Sequence, residues 1–157
     1  MKRHAVFDTL AAAVPVASML MAGAATAAPR SFGDLPLETF TVSELTSFNS
    51  PSGNIGCYID PSTVRCDIQE RNWAPPPKPA SCNENVGWGQ GLTLNAGEPA
   101  TFVCAGDTAL TTGNPLAFGD KIVAGSIECT SAESGITCWD FQYGGEFSIS
   151  REAYHLS

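Results

Sequence analysis

Basic residues are scarce in this chain, and their scarcity argues against two kinds of partner. Among its 157 residues only 8 are Lys or Arg, against 16 Asp or Glu, and the formal net charge is −8. Nucleic acids and anionic lipid headgroups are bound through clusters of basic side chains that neutralise phosphate. An acidic surface repels both, so we expect no nucleic-acid partner and no attachment to anionic lipid.

Histidine and metal-binding spacings are equally rare. One of the two histidines, His155, lies outside the first 27 residues, and it is close to the end of the sequence, where chains usually fray. A Ser-His-acid triad needs a rigidly held histidine. The nearest cysteine pairs are separated by eight residues, whereas zinc sites use two to four, and calcium-loop spacings are absent. We therefore expect no triad, no metal and no other cofactor.

The long apolar stretch of the sequence lies at its beginning. A basic start at Met1–His4 is followed by an apolar run from Leu10, and Ala25–Ala27 supplies the small-x-small pattern of a signal-peptidase site. We predict a signal peptide at residues 1–27. The uncharged run is short for a bilayer span of about 20 residues, so we expect no membrane span after cleavage.

All six cysteines follow the predicted signal peptide. An even number of cysteines in an exported chain indicates a disulfide framework, because thiols are not kept reduced outside the cytosol. The protein is therefore predicted to be secreted, either extracellular or associated with the cell wall. Residues 28–47 lack a sustained period and are predicted to be a flexible N-terminal lead, and residues 48–157 to form a single disulfide-rich domain.

A β-hairpin is predicted around the first two cysteines. Asn54–Ile59 and Val64–Ile68 are short, rich in β-forming residues, and joined by turn residues. Counting outward from the turn predicts three facing pairs, namely Ile59 with Val64, Tyr58 with Arg65, and Cys57 with Cys66. Side chains alternate between the two faces of a strand, so the face with the cysteines is predicted to be buried and Tyr58 and Arg65 to lie opposite.

A second hairpin with the same cysteine spacing lies 72 residues further on, counted from Cys57 to Cys129. At that offset Gly53, Ile55, Cys57 and Cys66 correspond to Gly125, Ile127, Cys129 and Cys138. Convergence on a simple cross-linked hairpin is the alternative, but we interpret the match as an internal repeat. The shared positions are structural ones, namely a glycine, apolar residues and the two cysteines. The polar or aromatic residues Asn54, Tyr58, Asp60 and Arg65 have no counterparts in the second hairpin.

The simplest disulfide connectivity joins each cysteine to its next neighbour. It consists of Cys57–Cys66, Cys82–Cys104 and Cys129–Cys138, although six cysteines formally allow fifteen pairings. Together with further short strand-like segments, this pattern predicts an all-β domain. We expect a small antiparallel barrel or sandwich of about eight short strands, with a short helical turn at most near the C-terminus.

Six strings of the sequence are distinctive: SPSGNIGC at 50–57, VRCDI at 64–68, W-x-PPP-x-P from Trp73, FVCAGDT at 102–108, LAFG at 116–119 and SREAY at 150–154. Together they resemble a family of uncharacterised six-cysteine exported proteins of mycobacteria and related actinobacteria. The resemblance implies a location outside the cytoplasm or in the cell envelope, and no particular activity. The family pattern has Gly-His-Gly-Phe where this chain has residues 144–147, GGEF, so chemistry through that imidazole is excluded here.

The leading functional prediction is a non-enzymatic binding or structural module for a protein or glycan of the envelope or a host. Tyr58 and Arg65 are candidates because they are peculiar to the first hairpin. Trp73 opens a proline-rich segment that is either a stiff connector or a docking ligand, and aromatic rings can bind sugars. Asp107 follows Cys104 in a Gly-containing turn and completes the candidate set.

The alternative is a small secreted hydrolase that uses paired carboxylates. Glycoside hydrolysis needs two acids at a defined separation, and Asp107 and Glu128 both lie next to a predicted disulfide that would support them rigidly. Most acidic residues are simply solvated, so this reading ranks second.

Overall fold

A computed structural model describes residues 36–110 and 113–157, and within them the chain forms twelve β-strands and no helix. The first sheet contains β2 (Thr46–Asn49), β3 (Ile55–Asp60), β4 (Thr63–Ile68), β5 (Gly87–Asn95), β6 (Thr101–Ala105) and β7 (Asn114–Pro115). The second sheet contains β1 (Thr39–Val42), β8 (Lys121–Ala124), β9 (Ile127–Ala132), β10 (Gly135–Asp140), β11 (Glu146–Ile149) and β12 (Tyr154–Leu156). Their buried faces pack together as a sandwich, so the all-β prediction is confirmed.

Two details of the predicted architecture differ from the structure. The described residues contain twelve strands rather than about eight, because the shortest edge strands, such as β7, are too short to show a strand pattern in the sequence. The predicted flexible lead includes residues 39–47, but β1 pairs with β8 and β2 with β3. Near the C-terminus the chain forms strand β12, which pairs with β11. The predicted signal peptide, residues 1–27, lies outside the described residues.

The register predicted for both cysteine hairpins is confirmed. Tyr58 faces Arg65 and Cys57 faces Cys66 across β3 and β4, and Cys129 faces Cys138 across β9 and β10. The connectivity is also the predicted one: the disulfides are Cys57–Cys66, Cys82–Cys104 and Cys129–Cys138.

The internal repeat extends beyond the hairpins to the two whole sheets. Each sheet is an antiparallel meander of five consecutive strands, β2 to β6 in the first and β8 to β12 in the second. Each meander gains a sixth strand in parallel from the segment that precedes the other one, since β1 pairs with β8 and β7 pairs with β2. The two halves therefore exchange strands, which joins the sheets along one side of the sandwich.

An aromatic cluster closes the opposite side of the sandwich. Phe102 on the edge strand of the first sheet lies 4.9 Å, between ring centroids, from Tyr154 on the edge strand of the second. Trp73 stands 4.8 Å from Tyr154, and Trp88 stands 5.7 Å from Phe102. The rings are tilted by 47° to 73° against one another, which is the arrangement favoured for packed aromatic side chains.

A buried carboxylate links the two sheets. Asp140, at the end of β10, is 2 % exposed, and its Oδ2 accepts a hydrogen bond of 2.9 Å from the N–H of Gly97 in the β5–β6 turn. Gly97 has a φ of +81°, a conformation that glycine adopts without strain. Oδ1 accepts from the N–H groups of Gln142 and Tyr143. Burial alone would raise the pKa of Asp140, but these hydrogen bonds outweigh it and lower the pKa below its ordinary value.

We expect Asp140→Asn to lower the free energy of unfolding at pH 7 by about 2 kcal/mol, because an amide cannot accept from both groups of backbone donors. The lowered pKa means that this stabilisation is complete above the unfolded-state pKa of about 3.8 and is lost as pH falls through the folded-state pKa. Urea unfolding should therefore show a gap between variant and wild type at pH 7 that narrows at about pH 2.5. Glu44→Gln, at an exposed position, is the control, and an equal gap at both pH values would contradict the assignment.

Candidate functional site

Three of the four predicted binding residues lie together on the outer face of the first sheet. Arg65 donates through Nη1 to Asp107 Oδ1 at 2.7 Å, and its guanidinium carbon lies 5.9 Å from the ring centroid of Tyr58. Trp73 belongs instead to the aromatic cluster that closes the sandwich. The predicted set is therefore divided between two places.

Arg65 is buried, although it lies on the face opposite the disulfide. Its side chain binds Asp67 at two points, with Nε–Oδ1 at 2.9 Å and Nη2–Oδ2 at 2.8 Å, and Nη2 also donates to the backbone oxygen of Asp107. Burial alone would lower the pKa of Arg65, but the two carboxylates more than compensate and raise it. The hydrogen bond from Arg65 in turn lowers the pKa of Asp107.

The cover over Arg65 is a short segment, residues 107–110, which we call the strap. The N–H of Ala109, a fully buried residue, donates to Asp67 Oδ2 at 2.8 Å. The strap lies so close to β3 that a Cβ placed on Gly56 would stand 2.6 Å from the oxygen of Ala109. Arg65 and Asp107 thus hold the strap on the sheet, and their predicted role in binding a partner stays a prediction.

Trp73 pins the proline-rich connector rather than presenting a flat ring. Its Nε1 donates to the oxygen of Ser150 at 2.9 Å, and the guanidinium of Arg71 stands 4.5 Å from its ring centroid. Further along, Trp88 Nε1 donates to the oxygen of Pro76 at 2.9 Å. These contacts favour the stiff-connector interpretation, because the ring faces are used in packing and the rings are not coplanar.

The two carboxylates suggested for a hydrolase lie on different sheets. Asp107 belongs to the strap on the first sheet, whereas Glu128 lies on β9 of the second. Each is engaged by a cation, Asp107 by Arg65 at 2.7 Å and Glu128 by Lys121 at 2.6 Å. This arrangement accounts for both acids as members of ion pairs.

A different site lies at one end of the sandwich, where turns of both sheets meet around a cavity of about 510 Å³. We call it the sandwich-end cleft. It is lined by Ser50, Ser52, Gly53, Asn54, Ile55, Gln69, Glu70, Phe118, Ala132, Glu133, Gly135, Ser150, Arg151 and Glu152. Sequence reasoning missed it, although two strings that carry the family resemblance, SPSGN at 50–54 and SREAY at 150–154, contribute to its wall.

The turns that form the cleft are held by local hydrogen bonds. Ser50 Oγ accepts from the N–H of Ile55 at 3.1 Å and lies 3.1 Å from Ser52 Oγ. The side-chain amide of Asn54 makes two hydrogen bonds to the backbone of Glu70. Its Nδ2 donates to the Glu70 carbonyl oxygen at 2.9 Å, and its Oδ1 accepts from the Glu70 N–H at 2.8 Å. These hydrogen bonds fix the positions of the turns, as the supporting contacts of a preorganised binding site do.

Contacts between the connector and the β11–β12 turn join the two sheets beside the cleft. The N–H of Asn72 donates to the oxygen of Arg151 at 2.7 Å, next to the bond from Trp73 to Ser150. Arg151 Nη2 also lies 3.1 Å from Glu70 Oε2. Trp73 thus acts on the cleft indirectly, by holding the turn that carries Arg151.

The cleft presents acceptors, one cation and one ring. Glu70 forms an ion pair with Arg151. Glu133 and Glu152 are exposed and have no ion-pair partner among residues 36–110 and 113–157. Phe118 is 51 % exposed at the rim. Carboxylates accept hydrogen bonds and a guanidinium donates them, so this surface suits a ligand with several hydroxyl or amide groups.

Comparisons with protein-family models, with curated proteins and with solved structures found no match. The actinobacterial family resemblance accordingly stays a prediction. In the part of the chain that the structure describes, no helix is long and apolar enough to cross a membrane. The same residues contain no group of three or more His, Cys, Asp or Glu side chains placed to hold a metal ion.

Replacing Arg65 should be far more damaging than replacing its exposed partner. Arg65→Leu leaves the buried carboxylate of Asp67 without a counter-charge, which costs about 3–5 kcal/mol in the free energy of unfolding. Asp107→Asn should cost far less, because the Asp107 side chain is 77 % exposed and the pair is screened by water. Urea unfolding gives both values, and hydrogen exchange at the Ala109 amide should accelerate in Arg65→Leu. Equal losses of unfolding free energy in the two variants would contradict the role assigned to Arg65 in holding the strap.

Proposed function

We propose that this protein is an exported, non-enzymatic binding module that holds a short glycan segment in the sandwich-end cleft. Three disulfides that use all six cysteines are typical of an oxidising, extracellular compartment. Association with a cell envelope and an actinobacterial origin follow from the resemblance and belong to the proposal. The observation that carries it is the cleft itself, formed by turns of both sheets.

The size of the cleft favours a small ligand over a protein surface. A volume of about 510 Å³ lies within the range of small-molecule sites, roughly 300–1,000 Å³. A stable protein interface instead buries about 800 Å² on each partner, usually over a flatter area. A segment of an oligosaccharide fits the concave shape better than a folded partner does.

The chemistry of the cleft favours sugars among small ligands. Glu133 and Glu152 offer carboxylate oxygens to hydroxyl donors, and Arg151 offers donors to ring or hydroxyl oxygens. The exposed ring of Phe118 supplies an apolar face against which the C–H side of a sugar can pack.

A hydrolase remains the second candidate, now with different residues. Glu70, Glu133 and Glu152 all line the sandwich-end cleft, and two carboxylates about 5–9.5 Å apart across a glycosidic bond are sufficient for hydrolysis. If one of these pairs is catalytic, bound oligosaccharides will be shortened rather than merely held.

We expect neutral oligosaccharides to perturb the cleft selectively in NMR titrations of the isotopically labelled protein. The probes are a chito-oligosaccharide, a gluco-oligosaccharide and, for comparison, a lysine-containing tripeptide. At least one oligosaccharide should shift the amide resonances of residues 52–54, 133 and 151–152. Shifts caused by the peptide alone, or by none of the probes, would contradict a glycan site.

The double variant Glu133→Gln/Glu152→Gln should weaken that binding at least about tenfold, which corresponds to 1.4 kcal/mol. Glu44→Gln, which removes one exposed charge away from the cleft lining, is the matched control and should bind like the wild type. Chromatography of the incubated oligosaccharides distinguishes the second candidate. Cleavage that disappears on replacing Glu70, Glu133 or Glu152 by Gln would establish a hydrolase and overturn the non-enzymatic proposal.

A further inference from the structure

The three disulfides differ sharply in their exposure to solvent. Both cysteines of each hairpin disulfide are fully buried between the sheets, at 0 % exposure. Cys82 is 6 % exposed, whereas its partner Cys104, on the edge strand β6, is exposed to solvent. A dissolved thiolate must reach a sulfur atom to exchange with a disulfide, so the Cys82–Cys104 bond is open to attack and the other two are shielded.

An open basin leads to this disulfide from the side of Cys82. The basin has a volume of about 480 Å³ and is lined by Lys78, Pro79, Ala80, Cys82, Asn83, Glu84 and Asn85. Lys78 is held there, because its Nζ donates to the backbone oxygens of Val86 at 2.7 Å and Glu84 at 3.2 Å. A fixed ammonium group in the same basin as Cys82 stabilises a thiolate that forms on that residue.

We propose that Cys82–Cys104 is a thiol–disulfide exchange site for small thiols in solution. The thiolate of the small thiol attacks Cys104 Sγ and forms a mixed disulfide, the Cys82–Cys104 bond breaks, and the electron pair of that bond leaves on Cys82 as a thiolate in the basin that Lys78 also lines. A second small thiolate then attacks the mixed disulfide at the sulfur of the first. It releases reduced Cys104 and a disulfide of the two small thiols, so the protein gains two electrons and the reductant loses two.

Opening this bond is a local event. Within the segment that it closes, Trp88 Nε1 also donates to the oxygen of Pro76 in the proline-rich connector. The connector is in turn held by Trp73 bound to Ser150. The two sheets have their own buried disulfides, Cys57–Cys66 and Cys129–Cys138. The basin residues are not among those that line the sandwich-end cleft, so the exchange site is independent of the proposed function.

The test uses the oxidised full-length protein with reduced glutathione and no denaturant, followed by alkylation and peptide mapping at successive times. Cys82 and Cys104 should become alkylated at least about tenfold faster than the four hairpin cysteines, since exchange rates depend on access. The transient glutathione adduct should be found on Cys104. An adduct on Cys82, or equal rates at all three disulfides, would overturn the assignment.

Two variants separate a local site from general unfolding. Lys78→Gln should slow the opening about threefold, because the thiolate leaving from Cys82 loses its neighbouring charge, whereas Lys121→Gln on the second sheet should leave the rate unchanged. The double variant Cys82→Ser/Cys104→Ser should keep the amide spectrum of both hairpins. An unchanged rate in Lys78→Gln, or loss of the hairpin spectrum in the double variant, would contradict the proposal.

Discussion

The disulfides Cys57–Cys66 and Cys129–Cys138 join residues that face each other directly across a strand pair, with their Cα atoms 4.1 Å apart. A slip of one residue in either hairpin would turn its apolar face to solvent, and the covalent link prevents that slip. Each sheet therefore has a locked pair of strands at its centre, on which the neighbouring strands assemble. The packing of one locked, apolar face against the other creates the core, and the rest of the sandwich depends on this contact.

The fixed register of the hairpins also determines which side chains lie on the outer faces of the sheets. Cys57 and the facing Cys66 point into the core, so Arg65, the residue before Cys66, points outward. The strap then buries the guanidinium of Arg65 together with Asp67. Asp140 links the two sheets by accepting one backbone hydrogen bond from the opposite sheet. Exchanged strands and an aromatic cluster close the two long sides. At one end of the sandwich, turns of both sheets meet around the sandwich-end cleft.

The sequence predicts those parts of the site whose contacts join residues close together in the chain. Tyr58 and Arg65 were correctly placed opposite each other, because hairpin register is a local property. Asp107 lies 42 positions from Arg65 and could not be assigned to it from spacing. Trp73 was recognised as a notable residue, but its contact with Ser150 spans 77 positions. The cleft combines five separate segments, and no single segment looks like a binding motif.

The sequence by itself determined the all-β class, the two equivalent hairpins, their register and the two hairpin disulfides. These features follow from side-chain alternation and cysteine spacing, which act over about ten residues. Only the tertiary structure decided that the halves exchange strands, that Arg65 is buried under a strap, and that Ser50–Asn54 and Ser150–Glu152 meet at one cleft. The reason is physical: such contacts depend on how two sheets pack and twist against each other, and sheet packing depends on the whole set of buried side chains rather than on any local pattern.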